Sequence, residues 1–285
     1  MPLASFLAGL AAPVTRAPFA LMATGLLSIA ITGHAQSDSP QPSKPNIVLI
    51  VGDDVGWRDL GAHGGGEGRG IPTPNLDRLA DEGMTFFDFY GQPSCTPGRA
   101  ALQTGRNPNR SGMTTVAFRG QGGGLPHAEW TLASVLKLAH YNTYFTGKWH
   151  LGEADYALPN AQGYDDMKYV GLYPLNAYTY SDPKWFPDMG QQTRDLFTKV
   201  TTGILSGKVG QKAHEDFKLN GQYQNEPENR IVGIPFMDRY IEKAALEHID
   251  DATQRGQPFS LSANPMATGK CSNTLPPAPA PAPAP

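Results

Sequence analysis

Charge of either sign is scarce in this chain of 285 residues: 17% of positions are Asp, Glu, Lys or Arg, and the formal balance is only −3. Such a chain carries no electrostatic footprint for nucleic acid or for an anionic membrane surface. Cysteine is scarcer still. Cys95 and Cys271 are the only two, which excludes a disulfide framework. A single bridge between them would need an oxidising compartment, while Cys95 sits in a motif with another use and Cys271 adjoins a Pro/Ala tail. No internal repeat is visible. The glycine-rich run Gly61 to Gly70 lacks the lysine and hydroxyl of a phosphate-binding loop and reads as a flexible loop. No Gly-x-Ser-x-Gly elbow marks a serine hydrolase. His63, His127, His140, His214 and His248 show no metal-ligand spacing and read as ordinary surface or helix residues.

Apolar residues make up 40% of the chain, enough to bury the core of one large α/β domain or two small ones. The first 35 residues contain no acid, and Arg16 is their one base. The mainly apolar run Ala17 to Ile31 follows that base, and Gly33-His34-Ala35 supplies a small-x-small site. This order reads as a secretory signal peptide over residues 1–35, with cleavage after Ala35. A transmembrane anchor is the competing reading, but the run is short for a bilayer and interrupted by Pro18 and Gly25. Residues 36–44 are then a polar, Pro-rich linker, residues 45–264 the domain, and residues 265–285 a divergent Pro/Ala-rich tail that cannot bury a core.

Within the domain, Pro45 to Gly52 is a continuous apolar run, the pattern of a strand buried on both faces of a parallel sheet. Thr73 and Pro74 open a helix whose Leu76, Leu79 and Ala80 share a face and which Gly83 stops. Thr85 to Tyr90 reads as a second strand, Pro97 to Thr104 as a helix, Trp130 to Tyr141 as a helix, and Thr143 to Thr146 as a short third strand closed by Gly147. From Tyr164 to Pro235 the pattern weakens into loops, with a helix near Thr193 to Leu205. A helix returns at Phe236 to Asp251, and Pro258 to Ser262 forms a fourth strand. Strands alternating with helices argue an α/β domain with helices on both sheet faces.

Three short segments carry chemistry. Asp53 and Asp54 follow the first strand directly, where ligands bind in open α/β sheets. Two hard oxygen donors suit calcium or magnesium better than zinc, although a pair of solvated loop acids is the plainer reading of the residue types alone. Cys95 stands just before a helix N-terminus, whose free N–H groups and dipole favour an anion. Arg99, four residues on, shares its helix face and can hold an oxyanion. In extended chain Lys148 and His150 point the same way, a cation beside a group that exchanges protons near neutral pH. Taken singly, either would read as a surface residue.

Taken together, these segments resemble the type I sulfatases, the arylsulfatase family of the alkaline-phosphatase-like superfamily. The carriers are Cys-Thr-Pro-Gly-Arg-Ala-Ala-Leu-Gln-Thr-Gly-Arg from Cys95 to Arg106, Pro-Asn-Ile-Val-Leu-Ile-Val-Gly-Asp-Asp-Val-Gly-Trp from Pro45 to Trp57, and Thr-Gly-Lys-Trp-His-Leu-Gly from Thr146 to Gly152. The resemblance implies a mixed, largely parallel sheet with helices on both faces. It implies conversion of Cys95 by a formylglycine-generating maturation enzyme, which reads Pro97, into an aldehyde whose hydrate attacks the sulfur of a sulfate ester. It also implies a metal site of Asp53, Asp54 and the Cys95 position holding Ca²⁺ or Mg²⁺. Arg99 would orient the nucleophile, Lys148 would contact the sulfate, and His150 would assist deprotonation of the diol. Gly98 stands where many relatives have serine. Arg106 reads as structural.

The implied function is sulfuric ester hydrolysis by an exported, periplasmic or secreted protein with no nucleic-acid partner and no stable membrane span after signal cleavage. The alternatives are a phosphonate or phosphate monoester hydrolase of the same superfamily, and a non-catalytic truncated remnant. The last is raised because complete sulfatases are longer. Here no histidine follows Pro265 and no acid lies beyond Asp251, so the domain reads as an incomplete N-terminal portion.

Overall fold

A computed structural model describes residues 44–69, 72–173, 187–200, 203–217 and 237–265. The expected signal peptide, most of the expected linker, Cys271 and nearly all of the Pro/Ala-rich tail lie outside the described residues. The chain opens with β1 (Ile47–Ile50), α1 (Pro74–Glu82), α2 (Cys95–Thr104) and a single turn, α3 (Pro108–Ser111). Next come α4 (Leu132–Leu138), β2 (Asn142–Lys148) and β3 (Asp166–Gly171). After them run α5 (Gln191–Val200), β4 (Ile204–Lys208), β5 (His214–Phe217), α6 (Met237–Arg255) and β6 (Phe259–Asn264).

The six strands form one sheet in the order β1-β6-β2-β3-β4-β5. The first four are mutually parallel, and β4 and β5 extend the sheet antiparallel. Side chains alternate across the pleat, and β2 shows this at adjacent residues. Phe145 joins Ala100 of α2, Ala133 of α4, Trp149, Tyr164 and Met167 in one core. Tyr144 joins Phe259, Leu261 and Ala252 of α6 in the other. Helices therefore cover both faces, as the alternation of elements predicts.

Several local expectations are corrected. β1 is not buried on both faces: it lies at the sheet edge, with Val48 48% and Ile50 63% exposed. A continuous apolar run signals a strand but not its place in the sheet. Thr85 to Tyr90 forms no strand, because no described strand lies alongside to pair with it; Phe86, Phe87, Phe89 and Tyr90 are exposed. The helix over Pro74 to Glu82 forms as expected, yet Leu76 and Leu79 are also exposed. The short third strand runs on through Gly147 to Lys148. The helix near Thr193 ends at Val200, and Ile204 begins a strand. Gly61 to Arg69 is no slack loop but two short 3-10 turns. Gly61 and Ala62 donate their N–H groups to Thr73 Oγ1 and Asp77 Oδ1, both at 2.8 Å.

On the α6 side, His248 is an interior residue rather than a surface one. It is 3% exposed, its ring stacks on Tyr144 with centroids 4.2 Å apart, and its Nε2 has no hydrogen-bond partner. Burial, aided by the Lys168 charge and opposed by Glu247 and Asp251, lowers its pKa from 6.5 to about 4. Between those values the unfolded chain binds a proton that the folded chain refuses, so stability falls as the pH falls through that window. One such histidine contributes a slope of about 1.4 kcal/mol per pH unit. Urea midpoints measured from pH 7 to 4.5 should therefore fall less steeply for His248→Phe, which keeps the stack and removes the titration. Equal slopes for variant and parent would contradict this assignment.

Candidate active site

The site gathers at the carboxyl ends of β1, β6 and β2. β1 delivers Asp53 and Asp54, α2 opens with Cys95, and β2 ends in Lys148 with His150 two residues beyond. Cys95 is the first residue of α2 rather than the residue before it, and Ser94 caps the helix at φ 73°. Gly98 N–H is already bonded to Ser94 O at 3.1 Å, and Pro97 has no N–H. The N–H groups of Cys95 and Thr96 remain without intrahelical partners, at the end of the helix where the dipole is positive.

The ligand atoms of Asp53, Asp54 and Cys95 all lie within 4.8 Å of one another, the only such group of potential metal ligands among the described residues. They line one cleft of about 740 Å³ together with Ser94, Arg99 and the exposed ring of Tyr90. Lys148, 1% exposed, lays Nζ against both Asp53 oxygens at 2.8 and 2.7 Å and against Cys95 Sγ at 3.4 Å. Burial alone would raise the Asp53 carboxyl; the Lys148 and Arg99 charges outweigh it and hold the group below the usual carboxylate range. Arg99 divides its fork among three strand ends. Nη2 donates to Asp53 Oδ1 at 3.1 Å, and Nη1 to Lys148 O at 2.7 Å and Asn264 Oδ1 at 3.2 Å.

His150 is fully buried, at φ 58°. Its Nε2 lies 3.0 Å from Ala117 O, and a carbonyl only accepts, so Nε2 carries the hydrogen and Nδ1 the lone pair. Nδ1 has no partner. Thr96 Oγ1 donates to His150 O at 2.9 Å and accepts from Ala117 N–H at 3.1 Å, tying the ring's backbone to the first turn of α2. Burial, then the Lys148 and Arg99 charges, lower the His150 pKa to about 4, against the Ala117 hydrogen bond. The imidazole is therefore neutral near pH 7.

The structure thus brings Asp53, Asp54, Cys95, Arg99 and Lys148 into one cluster, with the His150 backbone joined to it through Thr96. Arg106 stands apart, its Nη1 bonded to Glu129 at 2.8 and 2.7 Å. Asn264 is the residue that sequence reasoning missed; the available signal was a polar side chain just past the carboxyl end of the expected strand Pro258 to Ser262. Gly147 allows β2 and β6 to meet there: at φ 92°, a Cβ on it would lie 2.0 Å from Asn264 O.

Comparison with known proteins follows the same segments. The sulfatase family model matches residues 45–277. N-acetylgalactosamine-6-sulfatase of Rattus norvegicus is 41% identical over 239 residues, covering 80% of this chain and 40% of that protein. Arylsulfatase G of Rattus norvegicus is 35% identical over 241 residues, covering 79% and 41%. Among solved structures, PsFucS1 sulfatase from Pseudoalteromonas sp. aligns with a TM-score of 0.66 at 31% identity, over 78% of this chain and 43% of that one. The chain spans about two fifths of the length of the curated relatives it matches.

Asp53→Asn should cost about 3–5 kcal/mol, because it leaves buried Lys148 and Arg99 without their anion. The double variant with Lys148→Met should regain part of that loss in urea denaturation; an unaltered midpoint for Asp53→Asn alone would deny the cluster any structural weight. Gly147→Ala should destabilise more than an ordinary overpacking change, above about 3 kcal/mol, since both backbone conformation and contact forbid it.

Proposed function

This chain belongs to the sulfatase family, and we propose that it hydrolyses a sulfate ester using an oxygen nucleophile made from Cys95. The observation that carries the reading is the convergence of Asp53, Asp54 and Cys95 within 4.8 Å at the start of α2, with Lys148 Nζ 3.4 Å from the sulfur. The two named relatives are sulfatases, one of a sugar sulfate and one of the arylsulfatase type, which supports the same substrate class here.

The residues fit a hard divalent cation, Ca²⁺ or Mg²⁺. Two carboxylates aim at one point, and the third donor position is a sulfur that such a cation ignores but whose oxygen derivative it accepts. Asp53, Asp54 and the Cys95 position would hold the cation, which would polarise a sulfuryl oxygen. Oxidised to formylglycine by a maturation enzyme, Cys95 would supply a diol as nucleophile. The free N–H groups of α2 favour the sulfate charge at that spot. Arg99, fixed to three strand ends, holds Asp53 in place and keeps a positive charge beside the nucleophile. Lys148 binds sulfate oxygens. His150, neutral with an unpartnered Nδ1 lone pair, would be the group to accept the proton of the diol. The export pattern of residues 1–35 supports a periplasmic or secreted location; none of the described helices is long and apolar enough to cross a membrane.

Co-production with a formylglycine-generating enzyme should convert Cys95 to a hydrazide-reactive aldehyde, read by mass spectrometry of its peptide, and Pro97→Ala should lower the conversion. Gly98→Ser should be tolerated: a Cβ at Gly98 meets only Gln92 O at 3.5 Å, and removing a helical glycine gains a few tenths of a kcal/mol or more. Converted protein should release nitrophenol from nitrophenyl sulfate, and Cys95→Ala should abolish the release. Fully alkylatable Cys95 under these conditions would defeat the reading. Preference for the matching phosphonate would transfer the site to the alternative ester class, and aldehyde without turnover on either would leave a non-catalytic anion site.

A further inference from the structure

Asp53 is crowded by cations of its own chain. A carboxylate offers about four lone-pair sites; Lys148 Nζ takes one on each oxygen and Arg99 Nη2 takes another on Oδ1. The two cations are not equivalent. Arg99 is anchored twice more, to Lys148 O and Asn264 Oδ1, and sits on the rigid helix α2. The Lys148 ammonium ends a flexible four-carbon stem, and its other polar neighbour is Cys95 Sγ at 3.4 Å. A metal ion on Asp53 would stand within a few ångströms of that buried ammonium, where like charges repel more strongly than in bulk water. Arg99 is pinned by its further bonds, so the flexible Lys148 stem is the part that gives way, and Cys95, which lines the cleft, marks the direction.

We propose that Lys148 is an internal counter-cation for Asp53, and that a hard divalent cation displaces it and thereby turns its ammonium toward the anion-binding side of the cleft. The proposal rests on the reading of Asp53 and Asp54 as cation ligands. It gives Lys148 two states. With Asp53 as partner, the two cations and the two carboxylates Asp53 and Asp54 are neutral together, and nothing in the group calls for an anion. With a divalent cation on the carboxylates, the same group becomes net positive and the freed ammonium is a donor in search of an acceptor, which a sulfate oxygen satisfies. Cation and anion would therefore bind with positive coupling, and Lys148 would be the element that couples them.

The test needs no turnover. Calcium and magnesium affinities are measured by calorimetry for the full chain, for Lys148→Met, and for Lys148→Gln in case the first variant folds poorly. Removing a competing cation should tighten metal binding by roughly 5- to 150-fold, the usual range of coupling between two sites. In the parent protein, acetylation of Lys148 by a small amine reagent, followed by mass spectrometry, should be slow without metal and rise when calcium saturates the site. Unchanged or weakened metal affinity in both variants overturns the proposal, as does Lys148 labelling that calcium leaves unaltered. The sulfatase reading fails separately: a chain that never acquires the Cys95 aldehyde, yet gains metal affinity in Lys148→Met, would retain this coupling and lose that chemistry.

Discussion

The ion cluster of Lys148, Asp53 and Arg99 is the interaction on which the rest of the site depends. Buried charges are tolerated only when paired and hydrogen-bonded, and these three satisfy one another across β1, β2 and α2. Desolvation couples the three: Asp53 stripped of its cations, or either cation stripped of Asp53, is left with an uncompensated charge unless another ion takes the vacated place. The cluster therefore fixes where the end of β1 sits relative to the end of β2, and it sets the first turn of α2 against both. Cys95 inherits its position from that triangle. A thiol at a helix start is unremarkable alone; one with an ammonium at 3.4 Å and two carboxylates within 4.8 Å has been placed.

Backbone strain collects around the same point. Among the described non-glycine residues with positive φ are Asp54 at 56°, Ser94 at 73° and His150 at 58°. Each is a site residue or the immediate neighbour of one. Conformations of this kind cost of order 1–3 kcal/mol each and persist only where surroundings over-determine them. Here the surroundings are visible. Thr96 Oγ1 grips the His150 carbonyl, Ala117 holds both that hydroxyl and the imidazole, and the cleft residue Ser94 turns the chain so that α2 begins at Cys95. Strain at three corners of one cleft, with the His150 corner held by Thr96 and Ala117, is what a pre-shaped binding site requires.

The legible part of this chain was its chemistry. Asp53, Asp54, Cys95, Arg99, Lys148 and His150 were all named from three short segments, and the structure gathers the first five around one cleft and ties the His150 backbone to them. Helices α1, α2, α4 and α6 were readable from caps and 3.6-residue periodicity. The antiparallel extension β4–β5 was not, because Ser206, Gly207 and Lys208 give it no apolar run, and β3 hides behind Asp166 and Lys168. The reverse error befell Thr85 to Tyr90, where β-forming residues run through a turn at Phe87 and Asp88 without a partner strand. Strand propensity measures fit to a pleated neighbour, and a sequence does not announce who its neighbour will be. For the same reason β1 could be recognised as a strand while its edge position, and Asn264 as a partner of Arg99, stayed hidden.

That hidden neighbour governs how the site comes into being. β6 lies between β1 and β2, pairing Leu49 with Ser262 on one side and Phe145 with Ser262 on the other. The first site residue and the strand that positions it are thus separated by about two hundred residues of chain, a contact of the kind that forms late and costs the most closure entropy. Asp53 cannot approach Lys148 across the width of a missing strand, since neighbouring strands lie about 4.8 Å apart and the gap would have to close in register. Val51 N–H bonded to Ala263 O at 3.0 Å, and Gly147 pressed against Asn264, are the two seams that keep it closed. The residues that make the site chemically recognisable all lie between Asp53 and His150, but the site exists only when residues 259–264 have entered the sheet between β1 and β2. Cys95 thus acquires its ammonium and its carboxylates together, as a consequence of β6 insertion, and an unfolded or partly folded chain presents it as an ordinary thiol.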